Sequence, residues 1–399
     1  MDLKKYKVNE VNAWNGWDPL KQVVLGNCFP PEFFEDVKDT KLRDLLQRLL
    51  YETREDLDNI QKTLENLGVE VIRMPEYGMT NFPLIRHESI KTINEAAELD
   101  MLGLSENGKI FGFPKPCLTP RDDIITLGNK CLFTSNLMDN VLYSPSGEDG
   151  DIFNPAHLDL FSQKEWNLYR QGKITKGPLN PTPHLIKDAT EERRLDATFQ
   201  FWAPIIHRVG DRLVIDQQDW GNLSDVILER YPQFTAANIA VGGHTDGSMN
   251  LPKPGLVICG DWMGPEDFKH TLPGWDVLRI ENPNQMKGDF GSWADEKHIT
   301  QGRWWTPEAK SNPELVDFVD SWLTNWVGCA EESIFEVNML SINPETILSL
   351  NYQPEVHNAL KKHGIEPIYC RFRHRNFWDG GLHCLTVDTV REGGIQSYF

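Results

Sequence analysis

The stretch Leu67-Gly68-Val69-Glu70-Val71-Ile72-Arg73-Met74 joins the end of a helix to the beginning of a strand. Upstream of it, the apolar residues of positions 42–67 mostly recur every three or four residues, which predicts one long amphipathic helix. Gly68 suits the position that ends such a helix, because glycine readily adopts a left-handed backbone. Residues 69–74 then predict a short strand.

The same unit recurs near the end of the sequence. Residues 354–362 predict a helix, Gly364 ends it, and residues 365–369 predict a strand. The repeated tetrapeptide, Leu67-Gly68-Val69-Glu70 against His363-Gly364-Ile365-Glu366, is short. The ordinary helix–glycine–strand order of any α/β protein explains it equally well.

Other short apolar runs extend the pattern along the chain. Residues 23–27 and 124–129 both consist of an apolar strand followed by Gly-Asn. Further runs are spaced irregularly, with helices between some of them: 212–215, 238–241, 255–259, 337–342 and 347–350. This pattern predicts an α/β or α+β fold built from several similar small modules. A doubly wound sheet is disfavoured, because regular strand–helix alternation and a GxGxxG turn are both missing.

Composition excludes several classes of protein. The chain has 399 residues, a length typical of two or three domains, and its 40% hydrophobic and 25% charged residues disfavour wholesale disorder. A net charge of −19 argues against nucleic-acid binding and against docking on an anionic membrane. The sequence has no apolar run long enough for a membrane helix and no secretory signal, so a cytoplasmic location is expected. Seven cysteines without a CxxC spacing disfavour a disulfide framework and a structural zinc site.

The segment most suited to chemistry is Gly380-Gly381-Leu382-His383-Cys384, directly before the apolar run Leu385-Thr386-Val387. Paired glycines allow another group to approach the backbone closely. Cys384 is predicted at the edge of a strand, where a thiol with a lowered pKa can act as a nucleophile. A small buried cysteine is the competing interpretation. His383 is predicted to serve only the fold, since neighbouring side chains on a strand point to opposite faces.

Two further segments carry polar side chains. In Gly242-Gly243-His244-Thr245-Asp246, the side chains of His244 and Asp246 share a face if the chain is extended, and they suit proton transfer and cation binding. A polar turn with a satisfied histidine is the competing interpretation. In Pro120-Arg121-Asp122, the charged residues directly precede an apolar strand. Charges in this position often belong only to a solvated beginning of a strand, which is the favoured interpretation of the segment alone. The sequence contains no GxSxG elbow, P-loop, HExxH motif or EF-hand loop.

Together these segments resemble the amidinotransferase family, which includes glycine amidinotransferase and the inosamine-phosphate amidinotransferases. Four blocks carry the resemblance, in the family's order and over nearly the whole chain. The blocks are residues 11–20; Pro120-Arg121-Asp122 with residues 125–129; His244-Thr245-Asp246 with Asn250; and residues 380–384 with Asp388, Arg391, Gly393 and residues 396–398.

The resemblance implies an α/β fold of the pentein type, a propeller of five pseudo-symmetric ββαβ-like modules. It implies one domain over residues 1–399, with an insertion at roughly residues 144–183, which are rich in Gly, Pro, Asn and Asp. It also implies that Cys384 attacks the guanidinium carbon of an arginine-like donor, while Asp122 and Asp246 bind the guanidinium N–H groups. His244 would then act as the acid and base, and the intermediate would be an amidino group on Cys384.

Two positions depart from the family pattern. Residues 201–208 align with the F-D-A-x-x-x-x-R stretch, but Trp202 stands where the family has the carboxylate partner of its histidine. Asp196 is the candidate replacement, and it is grouped with Arg121 and Asp122 as a substrate-binding candidate. Met263 stands near the position of an arginine that binds a substrate carboxylate in glycine amidinotransferase. The candidates to replace that arginine are Arg371, Arg373 and Arg375, although such a basic run also suits a solvated face.

The resulting expectation is an enzyme that transfers an amidino group from arginine to a small amine in specialised metabolism. No metal ion or organic cofactor is expected, and a homodimer is compatible with the sequence. Two alternatives stay open. Water could complete the reaction, as in an amidinohydrolase or deiminase of the same fold, or the protein could bind a guanidinium ligand with weakened catalysis.

Overall fold

The fold is described from a computed structural model of the 399-residue chain. The described residues are 10–35, 37, 39–74, 105–106, 109–110, 116–134, 141–143, 203–216, 223–241, 244–280, 312–323, 326, 337–350, 352, 354–378 and 380–399. The predicted insertion at residues 144–183 lies outside them, so the single-domain boundaries stay a prediction.

The described residues contain both helices and strands, distributed irregularly along the chain. The helices are α1 Thr40–Asn66, α2 Leu223–Arg230, α3 Thr245–Ser248, α4 Pro265–Phe268, α5 Pro313–Trp322, α6 Pro354–Lys362 and α7 Arg375–Trp378. The strands are β1 Leu20–Leu25, β2 Glu70–Arg73, β3 Ser105–Glu106, β4 Lys109–Ile110, β5 Ile124–Leu127, β6 Lys130–Phe133, β7 Val141–Tyr143, β8 Ile206–Val209, β9 Arg212–Asp216, β10 Thr235–Ile239, β11 Met249–Lys253, β12 Leu256–Gly260, β13 Asp276–Ile280, β14 Leu340–Asn343, β15 Thr346–Ser349, β16 Glu366–Tyr369 and β17 Thr386–Arg391.

The predicted long helix is confirmed as α1. Asp39 caps its first turn, because the carboxylate accepts a hydrogen bond from the backbone N–H of Leu42 at 2.9 Å. The apolar stripe is buried along the helix, and Leu46 and Leu57 are fully inaccessible to solvent. Gly68 follows the helix with a left-handed backbone, at φ 80°, and turns the chain into β2.

Five three-stranded sheets dominate the described residues. Their strand orders are β17-β1-β2, β5-β6-β7, β10-β9-β8, β11-β12-β13 and β14-β15-β16. Four of them share one plan, in which an antiparallel pair is followed, across a helical connection, by a third strand parallel to the second. The sheet of β5, β6 and β7 departs from it, because β7 is antiparallel to β6. The prediction of an α/β fold with five similar modules is confirmed.

Segments distant in sequence complete the first sheet and connect it to its neighbours. β17 pairs with β1, so that Thr386 lies opposite Leu25. The segment before β1 forms backbone bridges from Ala13 to Gly128 and from Asn15 to Val209, which tie the second and third sheets to it.

A buried polar cluster lies where these sheets meet. Asp388 on β17 is 1% exposed and binds the guanidinium groups of Arg121, Arg208 and Arg391. Burial would raise the pKa of Asp388, but the three guanidinium groups lower it well below the ordinary value. Arg391 also donates to the backbone carbonyl of Ser341 in β14, at 3.0 Å. The cluster therefore fixes β17, and with it the segment that carries Cys384.

Candidate active site

Cys384 lies in a turn, two residues before β17 begins. The backbone N–H of Leu385 donates to the carbonyl of Gly381 at 3.1 Å, and that of Thr386 donates to the carbonyl of His383 at 3.2 Å. The prediction that Cys384 sits at a strand edge is therefore wrong by two residues. It was wrong because the apolar run continues into β17, which conceals the turn.

The turn also overturns the prediction for His383. Residues in a turn do not alternate between two faces, as strand residues do. His383 and Cys384 instead approach the same carboxylate oxygen, Oδ2 of Asp246. His383 is thus a member of the site.

The two glycines before Cys384 permit close contacts on both sides of the turn. A Cβ atom on Gly381 would lie 2.5 Å from the Cβ and backbone oxygen of Asn338. A Cβ atom on Gly380 would lie 3.3 Å from the Cβ of Cys384 and from Cγ2 of Thr119. The expected close approach to the glycine backbone is present. The groups that approach it are Asn338, Thr119 and the Cβ atom of Cys384 itself.

Asn338 holds Cys384 from two directions. Its Nδ2 lies 3.0 Å from Sγ of Cys384, and its Oδ1 accepts the backbone N–H of Cys384, also at 3.0 Å. Nδ2 lies 3.2 Å from the backbone oxygen of Asp246 as well. One fully buried amide therefore links the turn of the thiol to the helix of the carboxylate.

Asp246 is the centre of the candidate site. It lies in α3, where its neighbour Thr245 donates a hydrogen bond to the backbone oxygen of Pro204. Oδ2 of Asp246 lies 2.7 Å from Nδ1 of His383 and 3.4 Å from Sγ of Cys384. Oδ1 is buried and has no hydrogen-bond partner among the described residues. A buried acceptor without a partner is costly, and a ligand that donates an N–H would satisfy it.

Nearby histidines keep Asp246 ionised. Burial would raise the pKa of Asp246, but the hydrogen bond from His383 lowers it well below the ordinary value, with help from the charges of His383, His244 and His207. Asp246 is therefore an anion at neutral pH, which suits the binding of a cation.

His244 lies immediately before α3 and is half-buried. His244 and Asp246 were expected to share a face of an extended segment. Of the two, only His244 has an extended backbone, because Asp246 lies within the helix α3. His244 nevertheless lies close enough for its charge to lower the pKa of Asp246.

His207 adds a second imidazole behind His383. The ring centres are 5.9 Å apart, and Nε2 of His207 is buried without a hydrogen-bond partner among the described residues. Burial, with the nearby charge of His383, lowers the pKa of His207 to about 4, so this imidazole is neutral at neutral pH.

The Pro120-Arg121-Asp122 segment forms a 3₁₀ turn beside Cys384. The N–H of Arg121 points to the backbone oxygen of Cys384 at 3.4 Å, and Asp122 accepts a hydrogen bond from the hydroxyl of Thr119 at 2.6 Å. The guanidinium of Arg121 turns inward to Asp388 and to the carbonyl of Thr386, and the side chain is 4% exposed. Arg121 thus supports β17, while Asp122 is half-buried.

The remaining sequence candidates lie elsewhere. Asp196 and Trp202 are outside the described residues. Met263 is buried in an apolar cluster with Met249 and Phe268. Arg373 forms ion pairs with Glu55 and Asp56 of α1, so its charge is committed to that helix.

Sequence reasoning missed Asn338 and His207 and misjudged His383. Asn338 interrupts the apolar run 337–342, and a polar residue inside such a run is a signal that could have been used. His207 aligns inside the block that contains Trp202, but a single histidine in a strand gives no indication of its partner.

The described residues contain no group of three or more His, Cys, Asp or Glu side chains arranged to hold a metal ion. Among the described helices, none combines the length and the hydropathy needed to cross a bilayer.

The chain is similar in sequence to several amidinotransferases, although no family model matches it. Inosamine-phosphate amidinotransferase 1 of Streptomyces glaucescens is 21% identical over 416 residues, covering 97% of this chain and 99% of that protein. The mitochondrial glycine amidinotransferase of Danio rerio is 26% identical over 414 residues, covering 98% of this chain and 85% of that protein. The solved inosamine-phosphate amidinotransferase of Streptomyces griseus has a TM-score of 0.55 at 18% identity, covering 97% of this chain and 99% of that one.

These comparisons confirm the resemblance to amidinotransferases over nearly the whole chain, and the structural match confirms the shared fold. The homology supports amidino transfer.

Proposed function

We propose that this protein is an amidinotransferase that moves the amidino group of arginine to a small amine through a covalent intermediate on Cys384. The observation that carries the proposal is the 3.4 Å contact between Sγ of Cys384 and Oδ2 of Asp246, while the second oxygen of Asp246 has no hydrogen-bond partner among the described residues. A nucleophile beside an anionic acceptor is what attack on a planar cation requires.

The donor would bind through its guanidinium group. Oδ1 of Asp246 would accept an N–H of the donor and thereby satisfy a buried acceptor. Asp122, held by Thr119 beside the Cys384 backbone, would accept a second N–H. In this proposal Asp246 and Asp122 hold the cation and polarise its central carbon. Arg121 stabilises β17 through its hydrogen bonds to Thr386 and Asp388.

Cation binding would also favour the reactive form of the thiol. Sγ of Cys384 lies 3.4 Å from Oδ2 of Asp246, within the region where the guanidinium would bind. A bound guanidinium places positive charge next to Sγ and favours the thiolate, which is the nucleophilic form.

The reaction would proceed in two halves. The thiolate attacks the guanidinium carbon, the bond from that carbon to the donor's side-chain nitrogen breaks, and that nitrogen leaves as an amine after taking a proton from an imidazolium. An amidino-thioether then remains on Cys384. A neutral acceptor amine, deprotonated by the imidazole as it attacks, displaces the thiolate and carries the amidino group away. The sequence-based candidate for the imidazole is His244.

The acceptor is set by residues beyond this core. The names of the two relatives describe different acceptors, an inosamine phosphate and glycine. Met263, which stands near the position where the resemblance implies an arginine for a substrate carboxylate, is buried among apolar side chains. We therefore propose an amine acceptor that has no carboxylate at that place.

The test is incubation with arginine in the presence and absence of a panel of amines, followed by intact-mass and product analysis. We expect ornithine release, one amidino group added on Cys384, and an amidino product that requires an amine. Cys384→Ala should abolish the adduct, whereas Cys259→Ala, at a buried cysteine of β12, should retain it.

The alternatives give different outcomes in the same assay. If hydrolysis products form without an amine, the protein is an amidinohydrolase or deiminase and not a transferase. Arginine binding without an adduct or turnover would indicate a guanidinium-binding protein. Normal turnover by Cys384→Ala would refute the mechanism.

A further inference from the structure

We propose that His383, rather than His244, protonates the amine that leaves the donor and deprotonates the acceptor amine. This inference rests on the proposed function, since it assigns the proton-transfer step of that reaction.

The first argument is the orientation of the imidazole. Nδ1 of His383 lies 2.7 Å from Oδ2 of Asp246, which fixes the proton on Nδ1 and leaves Nε2 to exchange protons. Nε2 makes no hydrogen bond with a described residue, and the side chain is 15% exposed, whereas Asp246 is 1% exposed. Only the outer side of this imidazole is therefore open to substrate or water.

The second argument is proximity to the nucleophile. Because the same carboxylate oxygen contacts Nδ1 of His383 and Sγ of Cys384, those two atoms lie at most about 6 Å apart. If Sγ bonds to the guanidinium carbon and Oδ1 of Asp246 accepts one of the guanidinium N–H groups, the nitrogens on that carbon lie beside the imidazole.

The third argument is position 202, where the resemblance to amidinotransferases implies the carboxylate partner of the family's histidine and this sequence has Trp202. An acid–base histidine needs a carboxylate partner to fix its tautomer and stabilise its charged form. Asp246 supplies that partner to His383 by a direct hydrogen bond. His383 therefore has a carboxylate partner that does not depend on the residue at position 202.

The charges that face His383 suit a group that must gain and lose a proton. Burial and the Arg121 charge lower its pKa, while Asp246 and Asp388 act in the opposite direction. The fourth neighbour, His207 of β8, is neutral at neutral pH and does not compete for the charge.

In the donor half-reaction the Nε2–H of the His383 imidazolium gives its proton to the departing nitrogen as the carbon–nitrogen bond breaks. The imidazole is then neutral. It accepts a proton from the incoming amine as the new carbon–nitrogen bond forms and the carbon–sulfur bond breaks. The imidazolium and the thiolate are both restored.

The test compares two donors that form the same adduct. One is arginine, whose leaving amine needs a proton. The other is its isothiourea analogue, in which sulfur replaces Nε, so that a thiolate leaves without one. The rate of adduct formation on Cys384 is measured by rapid-quench mass spectrometry in His383→Asn and His244→Asn, with His270→Asn, at an exposed position, as the control.

His383→Asn retains a side-chain donor for Asp246 and removes the acid. We expect it to slow the arginine reaction by about 10²- to 10⁴-fold and the isothiourea reaction by less than about tenfold. His244→Asn should slow both donors by the same factor, and His270→Asn should slow neither. His383→Gln provides a second variant, and because the readout is a ratio of two rates in one protein, partial unfolding does not affect it.

Equal slowing of both donors in the His383 variants would show a structural role and overturn the inference. So would a donor-selective loss in His244→Asn. Absence of an adduct from both donors in the unsubstituted protein would instead refute the proposed function, so the two failures are distinguishable.

Discussion

Acidification should destabilise this protein through His207 before its carboxylates titrate. The imidazole is 8% exposed, and its pKa falls from 6.5 to about 4 because of burial and the nearby His383 charge. Below pH 6.5 the unfolded chain binds a proton at this position, whereas the native protein binds it only near pH 4. The unfolded state therefore holds more protons between these values, and the free energy of unfolding falls as the pH falls.

The size of the effect follows from the shift. One pKa unit corresponds to about 1.4 kcal/mol, so the depression to about 4 amounts to roughly 3 kcal/mol lost between pH 7 and pH 4. The pKa values of His374 and His383 are also lowered by burial and add loss in the same direction. A comparison with a variant is needed to isolate the part due to His207.

His207→Phe keeps an aromatic ring and removes the titrating nitrogens. We expect its free energy of unfolding, measured by urea denaturation from pH 7 to pH 4, to fall by roughly 3 kcal/mol less than that of the unsubstituted protein. His270→Phe, at an exposed position, should retain the original pH dependence. Parallel pH profiles for the unsubstituted protein and His207→Phe would refute the reasoning, whatever the absolute stability of the variant.

Two further substitutions test the support of the site. Gly381→Ala places a Cβ atom 2.5 Å from Asn338, about 0.9 Å inside the 3.4 Å of ordinary contact, and should lower kcat roughly a hundredfold and reduce Tm. Gly380→Ala, with contacts at 3.3 Å, should cost much less, and similar kcat values for the two variants would contradict this explanation. Asp388→Asn leaves three buried guanidinium groups without their carboxylate and should lower the free energy of unfolding by about 3–5 kcal/mol in urea denaturation. The exposed Asp225→Asn is its control, and a difference below about 1 kcal/mol between the two variants would show that the cluster is not needed.

Periodicity predicted the local elements well. The α1 stripe, the stop at Gly68 and the helix Pro354–Lys362 were all visible, because helix spacing and glycine stops are properties of neighbouring residues. The beginning of β14 was misplaced, since the apolar run starts at Val337 but the strand starts at Leu340. Asn338 instead binds Cys384; its polar side chain inside an apolar run distinguishes the position but does not identify the partner.

The candidate site was predicted only in part, because motifs are visible in the sequence and contacts between distant residues are not. Cys384 and Asp246 were recognised by their motifs, and the structure brings them to 3.4 Å. The hydrogen bond from His383 to Asp246 joins positions 137 residues apart, so it depends on how sheets meet rather than on spacing. The inward turn of the Arg121 guanidinium likewise depends on Asp388, which lies in a distant strand.

The pairing of β1 with β17 has a consequence for biosynthesis. Leu25 leaves the ribosome when the segment that carries its partner, Thr386, has not yet been translated. One edge of β1 therefore stays open for most of synthesis, and an open edge favours association between nascent chains. Co-translational chaperones that shield this edge should raise the yield of folded protein. The Cys384 thiol can approach Asp246 only after the segment that contains it has been synthesised.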